Sequence, residues 1–366
     1  MLIVVAPDSF KSTATAAAAA TDIAAGISAA IPAAKVITCP LADGGEGTAE
    51  TLAHVTLRDH SPVQKITLPT TDAAGRLTEA TYYFDPAGNK AYIDIASASG
   101  LPQVADRLDP LHHDTYGTGV LIADAESRGA EHIVLGLGGS ATVDGGTGIL
   151  TALVAAAHDD RGYALPRGGA PLVNVAEIDT AQLNIKAGLL RYSLLCDTRI
   201  TPAQAALVYG PQKGAGRQDI ALLTGALLRL CEVTGTDPER MRFGAAGGTA
   251  ISLAWLSRTL WGDESKLEVL SGAEYIADAQ GLPELINQAD LVVTGEGRFD
   301  EQSLTGKVVG TVAELCTDTP LGIIAGKLAS ELPADCLGVE LPGTRELTEQ
   351  FYAAGRAIAE QFMAQR

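Results

Sequence analysis

The sequence predicts an α/β protein of two domains: a doubly wound parallel sheet built from both ends of the chain, and a second, mixed α/β domain inserted into it. Short β-branched runs alternate with alanine-rich or apolar helical segments at the two ends. Between them lies a stretch of alternating, β-rich segments separated by hairpin-length turns. At 366 residues the chain also exceeds what one hydrophobic core usually supports. The expected division is 1–64 with 288–366 for the discontinuous domain and 65–287 for the insertion, the alternative being two sequential domains split near residue 150.

In chain order, "LIVVA" (2–6), closed by Pro7 and Asp8, has the form of a parallel strand buried on both faces. The alanine-rich segment 13–30 reads as a helix that Pro32 stops. "KVITC" (35–39) is a second strand, and "PLADGGEGTAETLAHV" passes from a glycine loop into a helix. Then "VQKITLP", "TEATYYFD" and "KAYIDIA", separated by "TDAAGR" and "DPAGN", read as antiparallel strands. From Tyr116 the α/β pattern returns: a helix to about Arg128, the strand "HIVLGL", the loop "GGSATVDGG" and the apolar helix "TGILTALVAAA". After the strand "YSLLC" (192–196) and "GPQKGA" the chain reads as mostly helix to about residue 288. "DLVVT" (290–294), a glycine loop, a helix, "LGIIAG" and a terminal helix at about 344–364 complete the pattern.

A hydrophobic content of 46% and a charged fraction of 19% describe a packed globular chain. A net charge of -18 and a pI near 4.7 argue against nucleic acid and acidic membranes as partners, since a polyanion is repelled before specific contacts form. Against that background the nine lysines are scarce, and Lys11, Lys213, Lys307 and Lys327 lie in or beside short Gly, Pro or Ser-bearing segments after apolar runs. Such placement suits a small anionic ligand. The five cysteines form no C-x-x-C pair and read as thiols in a reducing cytosol. His112-His113 lacks the i, i+4 spacing of a helical metal site. The opening "MLIVVAPDSFK" lacks the features of a signal peptide, and no apolar run approaches a membrane span. A cytoplasmic location is expected.

Several glycine-bearing segments follow predicted strands, each with an acid, a hydroxyl or a lysine. In open α/β sheets ligands bind beyond the carboxyl ends of the strands. "LVVTGEGRFDEQSLTGKVVG" looks like a nucleotide P-loop, but that motif needs glycine five residues before Gly306-Lys307 and Ser or Thr after it, where this chain has Glu301 and Val308. A dinucleotide fingerprint G-x-G-x-x-G and a nucleophile elbow G-x-S-x-G are also missing from these loops. Phosphoryl transfer fits glycine loops, aspartates and isolated lysines together, because its catalysis is mainly positioning and charge neutralisation.

"APDSFK", "LADGGEGT", "TYGTG", "GLGGSATVDGG", "GPQKGA" and "TGEGRFDEQSLTGK", in this order and at these separations, resemble the bacterial glycerate 2-kinases from Ala6 to about Lys307. The resemblance implies phosphorylation of D-glycerate to 2-phosphoglycerate by ATP with magnesium, in a cleft between a Rossmann-like domain and a second α/β domain inserted into it. Two positions depart from the family. After Cys196-Asp197 the family usually continues Asn-Pro-Leu and a glycine, where this chain has the shorter "TRITPAQAAL", and Val309 stands where a proline is common.

Lys11, Asp144 and Asp197 are the candidate catalytic residues. Asp8, Ser9, Asp43, Arg298 and Lys307 are assigned to the acceptor, and Gly138, Gly139, Ser140, Thr142, Lys213, Gly295 and Glu296 to the nucleotide. No metal ligand is singled out. Each has an ordinary alternative: a solvated lysine at a helix start for Lys11, an N-cap for Asp144, turn bonds for Ser9, Ser140 and Thr142. The general base stays open among the aspartates, and Arg298 and Lys307 suit either the glycerate carboxylate or an ATP phosphate. A kinase for another small hydroxy acid and a non-catalytic sensor of the same fold are the competing functions. Oligomeric state is not encoded in any of these motifs.

Overall fold

The apolar run after Met1 forms β1 (Leu2–Val5), and the alanines that follow form α1 (Ala16–Ala30), whose N-cap Thr15 accepts a hydrogen bond from Ala18 N. The computed structural model describes residues 1–10, 13–58, 62–305, 307–343 and 346–366. The expected catalytic Lys11 lies outside the described residues. Next come β2 (Lys35–Thr38), α2 (Thr48–Arg58), and the strands β3 (Gln64–Thr71), β4 (Leu77–Asp85) and β5 (Lys90–Asp94). The turn between β3 and β4 is closed by Asp72, whose carboxylate accepts from Ala74 N and Arg76 N, an Asx-type device. After the short α3 (Ala96–Ser99) run α4 (Tyr116–Ser127), β6 (His132–Gly136), α5 (Thr147–Ala152), β7 (Ala156–His158), β8 (Glu177–Asp179), α6 (Ile185–Gly188) and β9 (Arg191–Leu195). The helices α7 (Pro202–Tyr209), α8 (Arg217–Thr234) and α9 (Thr249–Trp261) lead to β10 (Leu267–Leu270), α10 (Gly272–Ala279) and α11 (Leu282–Ile286). The chain ends with β11 (Leu291–Glu296), α12 (Val308–Leu315), β12 (Leu321–Ala325), β13 (Leu337–Glu340) and α13 (Leu347–Gln365).

Two compact units result, Met1–Asp43 with Ser271–Arg366, and Gly44–Leu270. The first holds a five-stranded sheet in the order β13-β12-β11-β1-β2, parallel throughout. Counted within the unit this is the doubly wound order 2-1-3-4-5, with its switch point between β1 and β11. Ile3, Val5, Leu291, Val293 and Ile324 share a core with residues of α1 and α13, and α12 packs on β11.

The second unit holds a six-stranded mixed sheet, β10-β9-β6-β5-β4-β3. β3, β4 and β5 pair antiparallel, as their alternation predicts, while β5, β6, β9 and β10 are parallel. The parallel strands end level, with Asp94, Gly136 and Leu195 in register. This edge carries the loops of the candidate site.

Several expectations change. The units divide at Asp43/Gly44 and Leu270/Ser271 rather than at 64/65 and 287/288, because α2 packs on β4 and β5 and β10 completes the mixed sheet. The expected helix "TGILTALVAAA" is only α5: Val154 turns left-handed at φ 64°, and the next residues enter the β7–β8 hairpin. β10 interrupts the segment expected to be mostly helix, and β13 follows "LGIIAG" as an edge strand with no counterpart in the expected elements.

Candidate active site

In the parallel unit, backbone bonds join the two loops at the switch point. Ala6 N donates to Val293 O at 2.7 Å and Asp8 N to Gly295 O at 2.8 Å. Asp8 is buried and Ser9 half-buried, with Ser9 N donating to Asp8 Oδ1. Glu296, buried, ends β11. Arg298 is exposed, its Nε 3.6 Å from Asp300 Oδ2. Lys307 is the N-cap of α12, so its charge adds to the positive end of the helix dipole. Beside them lies an open depression of about 300 Å³, walled by Phe10, Leu341 and Leu347 with Lys327, Gln350 and Gly297 on its lining. It sits beyond the carboxyl ends of β1, β11, β12 and β13. Asp43, half-buried, closes the first segment of this unit.

In the mixed-sheet unit the loops interlock by backbone. Gly138 N donates to Gly44 O at 2.9 Å and Leu137 N to Leu195 O at 3.0 Å. A Cβ on Gly138 would stand 2.5 Å from Gly45 Cα, so only glycine permits this approach. Asp94 anchors the start of α2, accepting from Gly47 N at 2.8 Å and Ala49 N at 2.9 Å. Burial pushes the Asp94 carboxyl up to about 7, against the lowering effect of those two amides.

The loop "GGSATVDGG" differs from an open phosphate cradle. The amides of Gly138, Ala141, Gly145 and Gly146 donate to Gly44 O, Ser99 O, Gly247 O and Asp144 Oδ1. Thr142 is fully buried and Gly139 turns left-handed at φ 74°. Asp144 is fully buried too, and accepts from Thr115 N at 2.9 Å, Thr115 Oγ1 at 2.8 Å and Gly148 N at 3.0 Å, besides Gly146 N. Burial raises its carboxyl above the usual range while these donors oppose the shift. The arrangement ties the starts of α4 and α5 together. Asp144 is thus held by four donors just ahead of α5, whose N-cap is Gly146.

Lys213 enters the same loop from the short 3₁₀ turn Pro211–Lys213. It is buried, and Nζ donates to Thr142 O at 2.7 Å and Ser140 Oγ at 3.0 Å. Burial pulls its pKa down to about 7, with the Asp144 charge acting the other way. Asp197, half-buried, lies two residues beyond the end of β9. In this unit the structure gathers Gly138, Gly139, Ser140, Thr142, Asp144 and Lys213 into one interlocked loop, with Asp197 at the end of the neighbouring strand. In the other it gathers Asp8, Ser9, Gly295, Glu296 and Arg298.

Two contributors were not assigned from the sequence. Asp94 ends an otherwise β-rich run, and an acid at that place was its only signal. Thr115, the first residue of "TYGTG", was part of a motif without a role, and it supplies Asp144 with two donors. Among the described residues there is no group of three His, Cys, Asp or Glu side chains placed to hold a metal, and no helix is long and apolar enough to cross a membrane.

The family description "Glycerate kinase family" matches residues 3–361. A glycerate kinase of Halalkalibacterium halodurans is 36% identical over 338 residues, covering 89% of this chain and 85% of the relative. A glycerate 2-kinase of Escherichia coli is 36% identical over 347 residues, covering 91% and 87%. A crystal structure from Salmonella typhimurium LT2, named for glycerate kinase 2, superposes with a TM-score of 0.82 at 33% identity, covering 100% of this chain and 99% of the other.

Proposed function

Since the chain belongs to the glycerate kinase family, we propose that it transfers the γ-phosphoryl group of ATP to the 2-hydroxyl of D-glycerate, giving 2-phosphoglycerate and ADP. One observation carries the reading beyond the family name: segments from distant parts of the sequence converge on the carboxyl ends of parallel strands in both units, bringing acids, glycines and lysines with them. That is the edge where α/β sheets bind ligands.

The parallel unit takes the nucleotide in this reading. Its switch-point loops, the Lys307 charge at the start of α12 and the Arg298 guanidinium suit a polyphosphate, and the apolar wall of Phe10, Leu341 and Leu347 suits a base. This moves Arg298 and Lys307 from the acceptor to the nucleotide. The amides of Gly138, Ala141, Gly145 and Gly146 argue the same way, since they donate inside the protein. The mixed-sheet unit takes the acceptor. Asp197 removes the hydroxyl proton as the oxygen attacks the γ-phosphorus and ADP departs. Lys213 holds the glycine loop and supplies positive potential beside it.

Magnesium fits this donor set, since it takes only one or two protein carboxylates and completes its shell with phosphate oxygens and water. Asp8 and Glu296 would hold it, and when bound it neutralises phosphate charge. The reaction belongs to the cytoplasm, where ATP is available. Steady-state ADP release tests the reading: turnover should require both D-glycerate and magnesium, vanish in excess EDTA and return with added Mg2+. ATP hydrolysis at the same rate without any hydroxy acid would refute it.

A further inference from the structure

Arg242 is one of the few non-glycine residues held left-handed, at φ 70°. A long side chain adopts that backbone only where its surroundings enforce it. Here they do. On one side Phe243 N donates to Arg240 O at 3.4 Å, and the buried Phe243 ring lies under the Arg240 guanidinium at 3.9 Å. Next, Gly244 N donates to Ile200 O at 2.9 Å, and a Cβ on Gly244 would meet Thr201 O at 2.3 Å.

The strained backbone aims a cation at the end of β9. Arg242 Nη1 donates to Cys196 O at 3.0 Å, and Arg242 and the Asp197 carboxylate both act electrostatically on the Cys196 thiol. The guanidinium carries five N–H donors, and its planar fork matches a carboxylate in a way no other side chain does. The loop carrying Arg242 also abuts the glycine loop, since Gly145 N donates to Gly247 O at 3.0 Å. Its other neighbour, Thr198 to Thr201, is the segment where the chain departs from its family's usual sequence.

We propose that Arg242 binds the carboxylate of the hydroxy-acid acceptor, and that this guanidinium, with the shortened segment after Asp197, sets acceptor choice. The proposal rests on the kinase reading above. It assigns the acceptor's acid group to Arg242 and its hydroxyl to Asp197.

Arg242→Gly tests it, because glycine removes the side chain and relieves the left-handed backbone together; Arg242→Asn, whose residue type also tolerates that region, is the second variant. Both should melt at or above the wild-type temperature or close to it, keep the wild-type KM for ATP, and raise the KM for D-glycerate about 10- to 100-fold, the loss of a charge-assisted contact. Arg242→Lys, which keeps the charge without the fork, should fall between. Wild-type KM for D-glycerate in folded Arg242→Gly and Arg242→Asn would overturn the assignment while leaving the kinase reading intact. A wild-type protein that does not turn over D-glycerate would overturn both.

Discussion

An ammonium group inside a protein persists only where oxygens replace its water, and Lys213 has Ser140 Oγ and Thr142 O in that place. Burial still wins, so its pKa lies near 7 rather than at the ordinary 10.5. A depressed pKa makes the folded state the weaker proton binder. The wild type should therefore gain stability relative to Lys213→Met as pH rises from about 7 toward 10.5, most of the gain being absent below 7. Denaturant titrations at pH 7 and pH 10 read this directly, and parallel profiles for the two proteins would contradict it. Lys213→Met should also lower kcat/KM by at least about tenfold, since the glycine loop loses its internal cation. The lysine itself was legible in "GPQKGA". Its burial was not, because sequence position beside glycines says nothing of which loop folds over it.

At the scale of elements, α2 is joined to the mixed sheet through Asp94, whose two oxygens accept from Gly47 N and Ala49 N at the helix start. Removing them in Asp94→Ala should cost about 1–3 kcal/mol of stability. The raised pKa sets the pH dependence. A carboxyl that binds its proton more tightly when folded contributes most below its unfolded pKa of 3.8 and loses that contribution as pH rises through about 7. The cost of Asp94→Ala should thus be larger at pH 4 than at pH 8, and an equal or reversed cost would contradict the raised pKa, showing that the two amides outweigh burial. The strands β1, β2, β6, β9, β11 and β12 were legible because each is an apolar run of the right length. β10 and β13 were not: in "LEVL" and "LGVE" a glutamate or a glycine interrupts the apolar run, and they become strands by pairing with β9 and β12. The early end of α5 has the same origin. Its alanines favour helix, but Leu153 N and Ala155 N close onto Ile149 O and Leu150 O, and the chain turns away into β7.

For the whole molecule, one unit is built from both ends of the chain and the other from the continuous segment between them, each with its own sheet and core. The candidate residues were legible as motifs, and the convergence of their loops on strand ends followed from the fold class. Their division of labour was not legible, since Asp144 and Asp197 look alike as aspartates after strands. The structure adds that Asp144 is fully buried with four donors on its carboxylate, while Asp197 is half-buried beyond the end of β9. An acidic molecule of net charge -18 with Lys213, Arg298 and Lys307 at these loops is suited to small anionic ligands rather than a polyanion. The claim at the centre of the account is the position phosphorylated. The direct measurement is to incubate the protein with ATP, magnesium and D-glycerate and present the product to enolase alone. Immediate dehydration in step with ADP release is the predicted result and identifies 2-phosphoglycerate. ADP release with a product that enolase ignores until a mutase is added would place the phosphate on the 3-hydroxyl and contradict the account.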